Sequence, residues 1–184
     1  MAPAALWYTD DPKACELLAA DPFALLVGLA LDQQVTVQKA FAGPLALRER
    51  VGTLDPAVLA RTDLQEAFRT PPAIHRFPGA MATRVQELAR RVVEDYDGDA
   101  SRIWTDAEDG KDLRKRIGAL PGFGEMKIKS LGSVLYNRFG VAVAKELVPG
   151  HPTLGNVDSA QALQDYQAAK RAHKAEWTAS KSGR

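Results

Sequence analysis

Lys127 and Lys129 stand just after a glycine turn, Leu120-Pro121-Gly122-Phe123-Gly124. These types at this spacing suit the binding of a phosphate. Gly122 and Gly124 give the turn positive-φ freedom, and Pro121 sets its entry. A tight glycine turn at a helix N-terminus leaves backbone N–H groups without helical partners, and such groups accept an anion. With lysines alongside, the expected guest is a nucleic-acid backbone. Two helices must hold this turn. Asp112 to Ala119 before it and Glu125 to Phe139 after it carry apolar residues at helical spacing. In the second run these are Met126, Ile128, Leu131, Val134 and Leu135, with Lys127 and Lys129 on other faces. The competing reading is an ordinary turn between helices whose glycines serve packing.

A second polar group follows the most apolar run of the chain. Asp21-Pro22 is a helix-start signal, and the helix it opens, Phe23 to Asp32, has no polar side chain up to Leu31. A helix apolar all round belongs in the core. It ends in Asp32-Gln33-Gln34-Val35-Thr36, and Val37 to Ala42 reads as the next helix.

The remaining elements are also helical. Asp10 or Asp11 caps a short helix over Lys13 to Ala20, with Pro12 at its first position, after an irregular arm whose Leu6-Trp7-Tyr8 can reach the body. Gly43-Pro44 is expected to break the chain before a short helix, Leu45 to Val51. Leu54 to Phe68 reads as one or two helices, and Thr70-Pro71-Pro72 as a loop. His75 reads as a surface or loop histidine. Val85, Leu88, Ala89, Val92 and Val93 make a helical stripe, with Arg84, Arg90 and Arg91 off it. Ala160 to Trp177 reads as one partly basic amphipathic helix, with Tyr166 and Trp177 expected to pack on the body, the alternative being Trp7 and Trp177 stacked on nucleic acid. No β pattern and no repeat emerges, so the expected fold class is all-α.

Charge narrows the partner. The net charge of +1 excludes nothing, but its distribution is one-sided. Lys111 to Lys129 holds six Lys/Arg against two acids, and Lys170 to Arg184 holds five against Glu176. Acids gather elsewhere, mostly off the hairpin, as a phosphate-binding face requires, while Lys170 to Arg184 reads equally as a solvated helix face. Cys15 is the single cysteine, which excludes an internal disulfide and a four-cysteine cluster or zinc site within one chain. No apolar run reaches membrane-spanning length, and no signal-like N-terminus is present. The expectation is a cytoplasmic monomer with no membrane partner.

Leu120 to Gly124 followed by a basic helix resembles the helix-hairpin-helix motif. Together with the buried helix ending in Gln33-Gln34 and the helix that follows Arg84, it resembles the HhH-GPD superfamily of base-excision DNA glycosylases, over about Asp21 to Tyr166. The resemblance divides the chain into an arm and short helix (1–20), a compact HhH-GPD-like helical domain (21–166) and a basic tail (167–184). It implies double-stranded DNA as partner, with Gly122, Gly124, Lys127 and Lys129 on the backbone. It also implies that Gln34, with Gln33 second, fills the gap left by an everted nucleotide, since an amide both donates and accepts. The iron–sulfur cluster of some members is expected to be absent, and no metal or cofactor is expected.

Base excision breaks an N-glycosidic bond through a positively charged sugar, so a carboxylate is needed near the anomeric carbon. In the family, bifunctional members carry a lysine nucleophile at the position that is here Met126. Lys127 is one step on, about 100° around the helix. This implies monofunctional hydrolysis without a Schiff base. The family carboxylate follows a Gly/Pro-rich loop, which here points to Asp158. Asp158 lies further past Gly124 than the family pattern expects; Glu146 fits the spacing and lacks the context. Three readings remain: Asp158 as the catalytic group, Glu146 in that role, or no catalytic carboxylate, with Asp158 an N-cap. The rivals to an enzyme are a non-catalytic DNA-binding or damage-sensing module and a helical protein-interaction domain.

Overall fold

The computed structural model describes residues 2–183; Met1 and Arg184, at the ends of the expected arm and basic tail, lie outside the described residues. Those residues form helices and connecting turns with no strand, so the fold is all-α. Ten α-helices follow in order: α1 (Pro12–Ala20), α2 (Pro22–Leu31), α3 (Val37–Val51), α4 (Pro56–Leu59), α5 (Gln65–Arg69), α6 (Pro78–Tyr96), α7 (Arg102–Thr105), α8 (Gly110–Gly118), α9 (Glu125–Phe139) and α10 (Ala160–Ser182). Two 3-10 turns, Ala142–Leu147 and Leu154–Asn156, lie between α9 and α10.

Asp21 builds the first corner. Its N–H closes α1 on the Leu17 carbonyl, and its Oδ1 accepts from Phe23 and Ala24 at the start of α2. One residue thus ends one helix and caps the next, and the two meet at 116°. Phe23 to Leu31 are all buried, as a helix apolar all round requires. Gly28 permits close packing there, because a Cβ on it would lie 2.4 Å from the Phe41 ring. No single helix among the described residues is long and apolar enough to cross a membrane.

The expected break at Gly43-Pro44 does not occur. α3 continues through both residues to Val51. Proline in a helix interior costs about 3 kcal/mol. The cost is offset because Phe41, Gly43, Pro44, Leu45 and Leu47 are all buried, Gly43 tightly against Leu31. Packing on α2 overrides local propensity.

α6 begins earlier than its apolar stripe suggests, at Pro78, and buries Met81, Ala82, Val85, Leu88, Ala89 and Val92. It packs on α2, α4 and α5, while α9 packs on α8 and both 3-10 turns. The N-terminal arm joins the two halves. Leu6 and Tyr8 are fully buried, and the Tyr8 hydroxyl donates to the Leu154 carbonyl at 2.9 Å. α10 extends past its expected end to Ser182, and only Leu163 on it is buried. Tyr166 packs against the core, but Trp177 stands 56% exposed, contrary to the expected packing.

Candidate nucleic-acid interface

α8 and α9 form the arms of the hairpin. Asp109 caps α8 by accepting from Asp112 N–H at 2.7 Å, and Leu113 and Ile117 bury its inner face. The turn closes when Phe123 N–H donates to the Leu120 carbonyl at 3.1 Å, with both side chains in the core. Gly122 takes φ +77°, as expected. Gly124 does not: its φ is −87°, open to any residue. Nothing lies within 4 Å of a Cβ built there, so Gly124 answers to no neighbour in the chain. Among the described residues, the N–H groups of Gly122, Gly124, Glu125 and Met126 find no acceptor. They form an exposed row of donors at the positive end of the α9 dipole.

Charges frame this row. The Arg84 guanidinium lies against Gly122, where an added Cβ would fall within 1.7 Å of its nitrogen. It has no ion-pair or hydrogen-bond partner among the described residues. Arg114 bridges the hairpin to Glu125 at 2.6 Å, and Lys129 approaches the same carboxylate at 3.8 Å. Lys129 therefore stays at the surface, partly neutralised. Lys127 turns inward: its Nζ donates to the Ala30 carbonyl at 3.2 Å, near the end of α2, and lies 5.7 Å from the Phe123 ring centre. Burial holds its ammonium below the ordinary lysine range, with Asp32 opposing and Arg84 adding to the effect.

That contact brings the hairpin to the glutamine turn. Asp32 and Gln33 wind off α2, their N–H groups bonding to Leu29 and Leu31. Gln34 sits in the left-handed region at φ +57°, exposed, with its amide free of hydrogen bonds among the described residues. Left-handed backbone is uncommon for a side chain of this kind and costs on the order of 1 kcal/mol. Gln33 is more constrained, with Nε2 3.4 Å from Met81 Sδ.

His75 holds the turn in place, and here the expectation of a surface histidine is corrected. It is 1% exposed, its Nε2 lies 3.0 and 3.1 Å from the Leu31 and Gln33 carbonyls, and Nδ1 accepts from Phe77 N–H at 3.0 Å. Two carbonyls on one nitrogen and a donor on the other fit the neutral ring with its proton on Nε2. Burial lowers its pKa from the ordinary value, in keeping with that form. Phe77 emerges beside it, 41% exposed, under the Arg76 guanidinium at 5.3 Å.

The carboxylates are distributed differently from the sequence-based expectation. Asp32 stands at the junction, half-buried, where burial raises its pKa against the pull of Lys170 and Lys127. An acid at a helix C-terminus opposes the dipole, the one sequence signal that singles it out. Asp158 is exposed just ahead of α10 and makes no hydrogen bond or ion pair among the described residues. It does not cap the helix either: Ser159 Oγ accepts from Ala162 N–H at 3.0 Å. Glu146 is exposed and packs over Gly110, at the opposite end of α8 from the hairpin turn.

A surface cleft of about 510 Å³ opens at the other end of α2, lined by Asp21, Arg48, Asp55 and Asp99 among others. Asp21 and Asp55 there cap α2 and α4. Another, of about 440 Å³, runs between Glu87, Arg90, Arg91 and Glu94 of α6 and the hairpin residues Ala119 and Pro121. Comparison with protein-family models, curated proteins and solved structures gives no match.

Proposed function

We propose that this protein binds duplex DNA and excises a damaged or mismatched base by hydrolysing its N-glycosidic bond. One observation carries the reading: Lys127, the residue just after the hairpin's exposed donor row, reaches Ala30, four residues before Gln34. A backbone-binding element and an exposed, free amide thus share one surface, although they lie about ninety residues apart in sequence. The donor row and Arg84 hold phosphates. Gln34 enters the stack where a nucleotide has left it, and the exposed Phe77 ring offers a neighbouring base a stacking face.

For the chemistry, Asp32 is the carboxylate that the geometry favours. As the bond to the base breaks, the sugar gains positive charge, which a carboxylate close by stabilises. Water then adds to the anomeric carbon, and the base leaves with a proton. Met126, at the position of the lysine nucleophile in bifunctional relatives, is 78% exposed and cannot form a Schiff base, which supports plain hydrolysis. A second reading has its own support. Asp158 is exposed without a polar partner among the described residues, and Glu146 packs at the far end of α8 from the hairpin turn, which favours a damage-sensing module that binds without cutting.

Base release from a panel of lesion-bearing duplexes decides between them. Asp32→Asn is expected to lose release by about a hundredfold or more, the scale of a lost transition-state contact. Asp158→Asn and Glu146→Gln are expected to retain it. Loss in Asp158→Asn alone would return the role to that residue. Salt-sensitive binding with no release from any duplex would favour the sensing module.

A further inference from the structure

We infer that the outer half of α10 is a second DNA contact, a basic arm whose Lys170, Lys174 and Lys181 follow the duplex backbone beyond the hairpin. The inference rests on the DNA-binding reading above. At about 100° per residue, Leu163, Tyr166 and Gln167 share one stripe with Lys170, Lys174, Trp177 and Lys181. The first three face the body. Leu163 is buried, Tyr166 packs on the core, and Gln167 exchanges two 2.8 Å hydrogen bonds with Gln38 of α3. From Ala168 to Gly183 every residue is exposed. The face that packs on the body therefore continues past it with nothing upon it.

The chemistry of the uncovered part selects its occupant. A hydrophobic groove or a lipid surface requires an apolar stripe, and this one offers only Trp177, with Lys181 Nζ 3.8 Å from its ring centre. Between Ala168 and Gly183, four Lys/Arg stand against the single acid Glu176. That excess fits a polyanion. The arm also leaves from beside the proposed interface, because Gln167 bonds to Gln38, four residues on from Gln34. From Lys170 to Lys181 the stripe spans roughly 16 Å, enough to reach several phosphates. A polar helix of this length is marginal in water alone, so a charged partner would also steady it.

The test is the salt dependence of duplex affinity for the full chain, read by fluorescence anisotropy. Each phosphate contact adds about 0.9 to the slope of log affinity against log salt. Lys174→Gln with Lys181→Gln is expected to lower that slope by about 2 and leave thermal unfolding unchanged. The control, Lys13→Gln with Lys145→Gln, removes as much charge elsewhere and is expected to leave the slope intact. An equal fall in the control would reduce the arm to bulk charge and overturn the inference. So would an unchanged slope in the arm variant while Gly124→Ala weakens binding, with the DNA-binding reading intact. A native protein without salt-sensitive duplex affinity would remove both.

Discussion

Two glycine turns flank α9, and they use glycine for opposite purposes. The turn before the helix, Leu120–Gly124, leaves Gly124 open to solvent with its N–H group unpaired. The later turn, Thr153–Val157, which lies against the helix, is spent on packing. A Cβ on Gly155 would lie 2.5 Å from the Ser133 carbonyl carbon, and Thr153 and Asn156 satisfy each other's backbone in a capping box. The second turn needs nothing beyond the chain. The first is complete only when something outside accepts its hydrogen bonds. By this criterion Asp158, which follows the self-contained turn, loses the functional weight that its Gly/Pro-rich context suggested, and Gly124 gains it.

The largest expected effect separates the two turns by stability. Gly155→Ala drives a methyl into the α9 backbone, which cannot move aside as a flexible side chain would. A loss of about 2–4 kcal/mol is expected in urea unfolding, at or above the usual cost of overpacking. An unchanged midpoint would show that this turn is not pinned to α9. Gly124→Ala is the counterpart. Its backbone angles suit alanine, so stability is expected to stay within about 1 kcal/mol. Duplex affinity is expected to fall about tenfold, the worth of one hydrogen bond to a charged acceptor. Destabilisation without loss of affinity would place Gly124 with Gly155 as a packing residue.

The contrast also shows what the sequence could convey. Apolar spacing revealed α2, α8, α9 and the inner stripe of α6, because burial of one face leaves a periodic trace. It did not reveal that α3 runs through Pro44, since the compensation lies in Leu31 of another helix. Nor could spacing tell that Lys127 points inward. A step of one residue turns the side chain by about 100°, and only the Ala30 carbonyl, distant in sequence, decides where it ends. His75 carried no local signal, because its two carbonyl partners belong to the end of α2. Asp32 was legible in principle as an acid at the wrong end of a helix dipole. Ser159 and Asp158 differ by one position, yet one caps α10 and the other stands free.

The smallest expected effect sharpens the account of the open turn. Glu125 places a carboxylate in the first turn of α9, where it suits the helix dipole but repels an approaching phosphate. The bridge from Arg114 holds its pKa below the ordinary glutamate value. A depressed pKa means that the group stays charged as pH falls through the usual carboxylate range, so mild acid does not lift the repulsion; only substitution does. Glu125→Gln is therefore expected to raise duplex affinity a few-fold and to free Arg114 for a phosphate, adding about 0.9 to the salt slope. The same change would leave affinity untouched if the hairpin donors did not face the backbone, because the charge would then be remote from every phosphate. Measured beside Gly124→Ala, it asks one question from both directions: one variant obstructs the donor row and the other removes the acid guarding it.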